Sequence, residues 1–223
     1  ALKLVDRQAD DPRVEAQEIE LRQLLASALA ATQGYTTEKV GENYRRLRAL
    51  ARDQGLVHDE IDALRGLSTF YVLQARYAQA ASAAESLLDA ARTVGGAEPL
   101  IAAYRAVGVS SCFMGDLKRA DAHLSHAVTL YEGEVAAGAA VLGVEDPGVA
   151  SLAWLARTSW YLGKPSVALQ RAEQAVALAY EREHPFSRAY ALSFQAHVHQ
   201  LRDEPERVLD CAQAVSYTHL RAH

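Results

Sequence analysis

One small or β-branched residue recurs along the chain at a nearly fixed interval. Val40, Ala80, Ala120, Ala168 and Val208 are spaced 40, 40, 48 and 40 residues apart. Each stands just after a short polar break that separates two stretches of helical apolar rhythm. A fixed period of this size with helical content means stacked helix pairs, because one pair cannot bury its apolar face alone and must lie on the next. The period constrains the fold more than length does, since 223 residues would suit one domain or a short array equally.

The pattern is sharpest in Ile101–Glu132. Two amphipathic segments flank Gly115-Asp116, with small residues Gly108, Ala120 and Ala127 where two helices would touch. Tyr104, Val107, Leu117, Leu124 and Leu130 fill the spaces between them. Small-against-large packing lets helices approach closely, so this stretch reads as a helix–turn–helix hairpin.

Other hairpins align with it. Residues 1–13 form a polar lead-in to a repeat domain spanning 14–214, whose units cover about 14–55, 56–95, 97–132, 147–182 and 184–214. Gly34, Gly55 and Gly95-Gly96 close helices, and Thr36 or Thr37 caps the second one. Ala75-Arg76-Tyr77 stands where the third unit has Gly115-Asp116-Leu117. Asp146-Pro147 and His184-Pro185-Phe186-Ser187 are helix starts, since proline lacks an N–H that the first turn would leave unpaired anyway. Eight extra residues fall in Gly133–Asp146, which reads as a loop or short extra turn on the edge of the stack, or a flap over its groove. Val215–His223 (VSYTHLRAH) breaks the rhythm and resembles translated adapter sequence. It is read as a non-native tail, with the natural chain continuing beyond Ala214.

Composition narrows the function. Hydrophobic residues are 50% of the chain, with much alanine and few prolines, which favours helices over a β-sandwich. The net charge of -5 leaves no basic face for nucleic acid. No apolar run approaches the ~20 residues of a membrane span. Two distant cysteines, Cys112 and Cys211, give no disulfide framework, so a cytoplasmic location is expected.

Chemistry-bearing motifs are sparse. Gly163-Lys164 lacks the upstream glycine and preceding strand of a phosphate-binding loop, and reads as a repeat turn. His123 and His126 share a helix face, as a metal chelate would require, but no third ligand accompanies them at fixed spacing. Cys112 follows Ser110 and Ser111 at a position that wants small residues for packing. No cofactor and no catalytic residue is therefore expected. A His/Cys-based metal-dependent enzyme, built on His123, His126 or Cys112, remains the rival class.

Tyr104, Val107, Gly108, Gly115-Asp116-Leu117, Ala120, Leu124 and Ala127 resemble the signature of the tetratricopeptide repeat. That resemblance implies an all-α, tetratricopeptide-like superhelix of about five antiparallel helix hairpins. From Tyr71 to Ala214 the chain is similar to a narrower group, the repeat regions of bacterial signalling ATPases, often attached to class III adenylate/guanylate cyclase domains. The shared phrases include Tyr77-Ala78-Gln79-Ala80, Asp146-Pro147-Gly148-Val149, Trp160-Tyr161-Leu162-Gly163 and His184-Pro185-Phe186-Ser187. This implies a non-catalytic interaction or scaffold module, the sensory or regulatory C-terminal part of a larger protein. A self-assembling repeat domain is the alternative.

In a tetratricopeptide array the first helix of each pair lines the groove. Alignment on the turns puts Arg65 and Thr69, Arg105 and Val109, Arg157, Trp160 and Tyr161, and His197 and Gln200 on that wall. Three arginines and two aromatics suit an acidic peptide, or another domain of the same parent chain, because arginine offers a bidentate fork and rings offer flat anchors. The competing expectation is that the arginines pair with Asp62, Glu98 and other acids of the same stack.

Overall fold

The computed structural model describes residues 12–136 and 145–220. Among them lie ten α-helices and no strand: α1 Pro12–Gln33, α2 Glu38–Asp53, α3 Val57–Leu73, α4 Tyr77–Val94, α5 Ala97–Phe113, α6 Leu117–Ala136, α7 Pro147–Tyr161, α8 Pro165–Glu181, α9 Pro185–Leu201 and α10 Pro205–Leu220. Odd- and even-numbered helices form five successive hairpins. Two compact units divide the chain, one ending at Pro99 and the other beginning at Leu100.

The hairpin turns share one backbone solution. Ala75, Gly115, Gly163 and Asp203 all adopt positive φ, at 55°, 82°, 74° and 58°. The next residue then donates its N–H back into the helix: Arg76 to Tyr71 O at 2.8 Å, Asp116 to Ser111 O at 3.0 Å, Lys164 to Ser159 O at 3.0 Å and Glu204 to His199 O at 3.1 Å. This left-handed cap satisfies carbonyls that the helix end would otherwise leave open. Gly163-Lys164 is such a turn.

The aligned small positions are where helices touch. Val40, Ala80, Ala120 and Ala168 are fully buried, whereas Val208 is half-buried. In the first unit Ile19, Leu47, Leu50 and Ala63 form one core cluster, and Leu29, Val40 and Phe70 another. In the second unit Leu124 and Val128 of α6 pack with Val149, Leu152, Ala153 and Leu155 of α7, Ala175 and Ala179 of α8, and Ala191 of α9. Some contacts admit no side chain at all. A Cβ at Gly66 would overlap the ring of Tyr44, one at Gly148 the ring of Tyr131, and one at Gly108 the side chain of Leu124.

Two boundaries differ from expectation. Helix α6 continues through Gly133 to Ala136, so the start of that stretch is helical, because Tyr131 and the residues before it keep the helix packed. The flap reading falls on 137–144, outside the described residues. Helix α10 continues past Ala214 to Leu220.

The end of the insertion is pinned. Asp146, 7% exposed, caps α7 by accepting from Val149 N at 2.9 Å and takes the hydroxyl of Tyr131 at 2.6 Å. Its own N–H donates to Ser187 Oγ at 2.8 Å, and Ser187 N donates to the capping ring of His184 at 3.2 Å. One buried polar chain thus ties together α6 and the starts of α7 and α9.

Candidate functional site

The three groove arginines have different fates. Arg65 lies in the first unit and pairs with Asp62 at 2.7 Å, with Glu98 at 3.6 Å. Thr69 is exposed beside it and donates its hydroxyl to Arg65 O. Arg105, in the second unit, pairs with Glu145 at 2.5 Å, both side chains being half-buried. These two arginines are committed to acids of the same chain, the first to the very residues expected. Val109 is half-buried.

Arg157 is different. Its guanidinium stands 5.5 Å from the ring centre of Phe113 on α5, 5.3 Å from Trp154 and 5.6 Å from Tyr161, both on α7. Among the described residues no carboxylate pairs with it, and its Nε is buried without a hydrogen-bond partner. The sequence explains the setting: Trp154 and Tyr161 flank Arg157 at three and four residues, the spacing that puts side chains on one helix face. Rings attract the cation through their electron-rich faces. They satisfy none of its directional N–H groups.

The rings form a continuous row. Phe113 meets Trp154 edge-on at 5.4 Å, Trp154 meets Phe194 at 5.2 Å, Phe194 meets Tyr190 at 4.9 Å, and Tyr190 stacks on Phe186 at 6.4 Å. Trp154 Nε1 donates to the hydroxyl of Tyr190 at 2.8 Å. Burial, opposed by the charge of Arg105, pushes the Tyr190 phenol up to about 12, so it stays protonated. Phe186 is half exposed, so that end of the row reaches solvent, and Tyr161 beside Arg157 is 43% exposed.

Of the other expected wall residues, Tyr161, His197 and Gln200 belong with Arg157. Burial, and then the charge of Arg157, hold the His197 ring below the ordinary histidine range, while the Gln200 side chain hydrogen-bonds to it. Trp160 is half-buried. It packs against Ala156, Ala168, Ala172 and Val198, because α8 and α9 close over that side of α7. Sequence alignment passed over Phe113, Trp154, Tyr190 and Phe194. The four-residue steps of Phe186, Tyr190 and Phe194 were the available signal.

The rival chemical groups are occupied by packing. His123 and His126 both lie tilted against the ring of Tyr104, at 5.6 and 5.3 Å between ring centres. Burial raises the Cys112 thiol above its ordinary value, against a hydrogen bond to Thr158 and the charge of Arg157, so its nucleophilic thiolate is disfavoured. Among the described residues no group of three or more His, Cys, Asp or Glu could hold a metal ion. Among the same residues no helix is long and apolar enough to cross a membrane.

Helix pairs with small contact positions and left-handed turns define a tetratricopeptide-like helical-repeat fold, and known structures agree. BtubC (BKLC) from P. vanneervenii superposes with a TM-score of 0.68 at 15% identity, over 99% of this chain and 87% of that one. The nearly identical TPR-like repeats of a kinesin light chain from Podosopora anserina give 0.61 at 18% identity, over 92% and 95% of the two chains. A signal-transduction ATPase with a tetratricopeptide-repeat sensor from Pyrococcus horikoshii gives 0.64 at 15% identity, over 94% of this chain and 32% of that one. No family model and no curated protein matches the sequence.

Proposed function

We propose that the chain is a non-catalytic protein-interaction module that captures an acidic segment on the second unit, at Arg157. The segment belongs to a partner protein or to another domain of the parent chain. The observation that carries this reading is the contrast among three arginines. Two have carboxylates of their own, and Arg157 has three rings and none. A guanidinium fixed by rings presents its remaining N–H groups without further loss of side-chain freedom, which is what a carboxylate from outside would need. The ring row beside it offers flat apolar contact to the residues around that carboxylate.

The resemblance to repeat regions of signalling ATPases, and the likeness to one ATPase sensor, support a cytoplasmic regulatory role in a larger protein. Binding would then act by shifting the balance of states in the output domain.

The test uses a fluorescein-labelled ten-residue peptide of alternating Glu and Ser with blocked ends, beside its Gln counterpart. A charge-assisted hydrogen bond is worth about 1.5–3 kcal/mol, so the Gln peptide should bind roughly ten- to a hundredfold more weakly by anisotropy. Arg157→Met should abolish the difference while leaving the helical circular dichroism intact. Equal binding of the two peptides would discard the site. Arg105→Glu is a poor probe, since it would set a second carboxylate against Glu145.

A second reading is self-association through the outer helices, where Leu209 on α10 is 58% exposed and Val167 on α8 is 38% exposed. A strictly monomeric mass by light scattering at high concentration counts against it.

A further inference from the structure

The buried nitrogens of the second unit that lack a hydrogen-bond partner include, beside those of Arg105 and Arg182, Nε of Arg157 on α7 and Nε2 of His197 on the neighbouring α9. Buried nitrogens of this kind normally find partners, and their desolvation is costly while they do not. The two also act on each other, since the Arg157 charge disfavours a second positive charge on the His197 ring. The Gln200 side chain, hydrogen-bonded to the ring, offsets it only in part. The carboxylates Glu173 of α8, Asp203 and Glu204 of the turn, and Glu206 and Asp210 of α10 line a separate groove with His199, and Glu204 takes the His199 ring at 2.7 Å. From α5 Arg105, paired with Glu145, faces Tyr190 on the same helix as His197, and Cys112 beside Arg157 is held toward the neutral thiol by burial. From α7 Tyr161 adds only the face of a ring to Arg157.

We propose that capture of an acidic segment at Arg157 is coupled to protonation of His197, so that imidazolium and guanidinium together hold one carboxylate. This rests on the reading of Arg157 as the capturing group. A carboxylate placed there cancels the repulsion that keeps His197 neutral and gives Nε2–H an acceptor. The proton comes from solvent and the carboxylate stays ionised. The bound state then holds more protons than the free state, so affinity rises as pH falls, by tenfold for each unit by which binding raises the histidine pKa. The rise ends where the ligand carboxyl itself protonates, near ~4.3 for glutamate.

The experiment uses the full chain and two probes: the Glu–Ser peptide, and an analogue with cysteic acid in place of Glu, whose sulfonates stay ionised throughout. Anisotropy from pH 7.5 to 5.5 should show both probes tightening about tenfold. Calorimetry in two buffers of different ionisation enthalpy should count a proton taken up on binding. His197→Gln should show neither the tightening nor the uptake, with unchanged helical circular dichroism. His197→Asn is the second variant should the first fail to fold. Binding that depends on Arg157 but not on pH, or an equal pH response in both His197 variants, overturns the coupling and leaves the Arg157 site standing. If the Glu and Gln peptides bind alike at every pH, site and coupling fall together.

Discussion

Holding a guanidinium among rings keeps it rigid but leaves its buried Nε–H unsatisfied, and that residue-scale imbalance is what the proposed site at Arg157 draws on. The opposite imbalance occurs at Ala75, a residue with a Cβ held at φ 55° where Gly115 and Gly163 do the same work freely. The left-handed region costs a non-glycine residue roughly 1 kcal/mol or more. Ala75→Gly relieves that strain but loosens the unfolded chain, so it should raise stability by about 0.5 kcal/mol, read as a higher urea midpoint at unchanged slope. Such details show what single residues disclose. Gly115 and Gly163 announce their turns, whereas nothing about Ala75 or Asp203 does, and only alignment with the other units places them. The partner of Arg105 was equally hidden, because Glu145 lies 40 residues away and is brought alongside by the packing of hairpins. The row through Trp154, Tyr190 and Phe194 was legible in principle as four-residue steps, but the repeat signature drew attention to small positions instead.

At the scale of the element, the start of α7 is the most heavily tied. Asp146 serves as the cap and as the acceptor for Tyr131, whose phenol is kept protonated by burial and by that carboxylate. Asp146→Ala removes a cap worth ~1 kcal/mol and leaves a buried hydroxyl without its acceptor, a further ~1–3 kcal/mol. A total loss of about 2–4 kcal/mol is expected, measured by chemical denaturation, and Asp146→Asn should recover much of it by keeping the cap. The helix start was readable from Asp146-Pro147, as were those at Pro165, Pro185 and Pro205, because proline at the first position has a local cause. The tie to Tyr131 and Ser187 has no local cause and was not readable. Helix ends were read less well: α6 and α10 outrun their expected limits, since burial of earlier turns carries a helix past residues that would not start one.

Over the whole molecule, stability in a stack of hairpins is carried by neighbour-to-neighbour contacts, so its parts need not melt together. Both tryptophans, Trp154 and Trp160, lie in the second unit, while the helical signal comes from the entire chain. Urea unfolding followed by tryptophan fluorescence and by circular dichroism should therefore give midpoints that do not coincide. Superimposable curves would show instead one cooperative block. The number and pairing of helices were visible from the interval alone, which is a property of the chain as a whole. Glycine seats for rings, such as Gly148 under Tyr131 and Gly66 under Tyr44, add a rule about heredity. Seat and ring sit on different hairpins, so neither is useful without its mate. A lineage could gain or lose a repeat only by cutting where both halves travel together, and chimaeras spliced between them should misassemble.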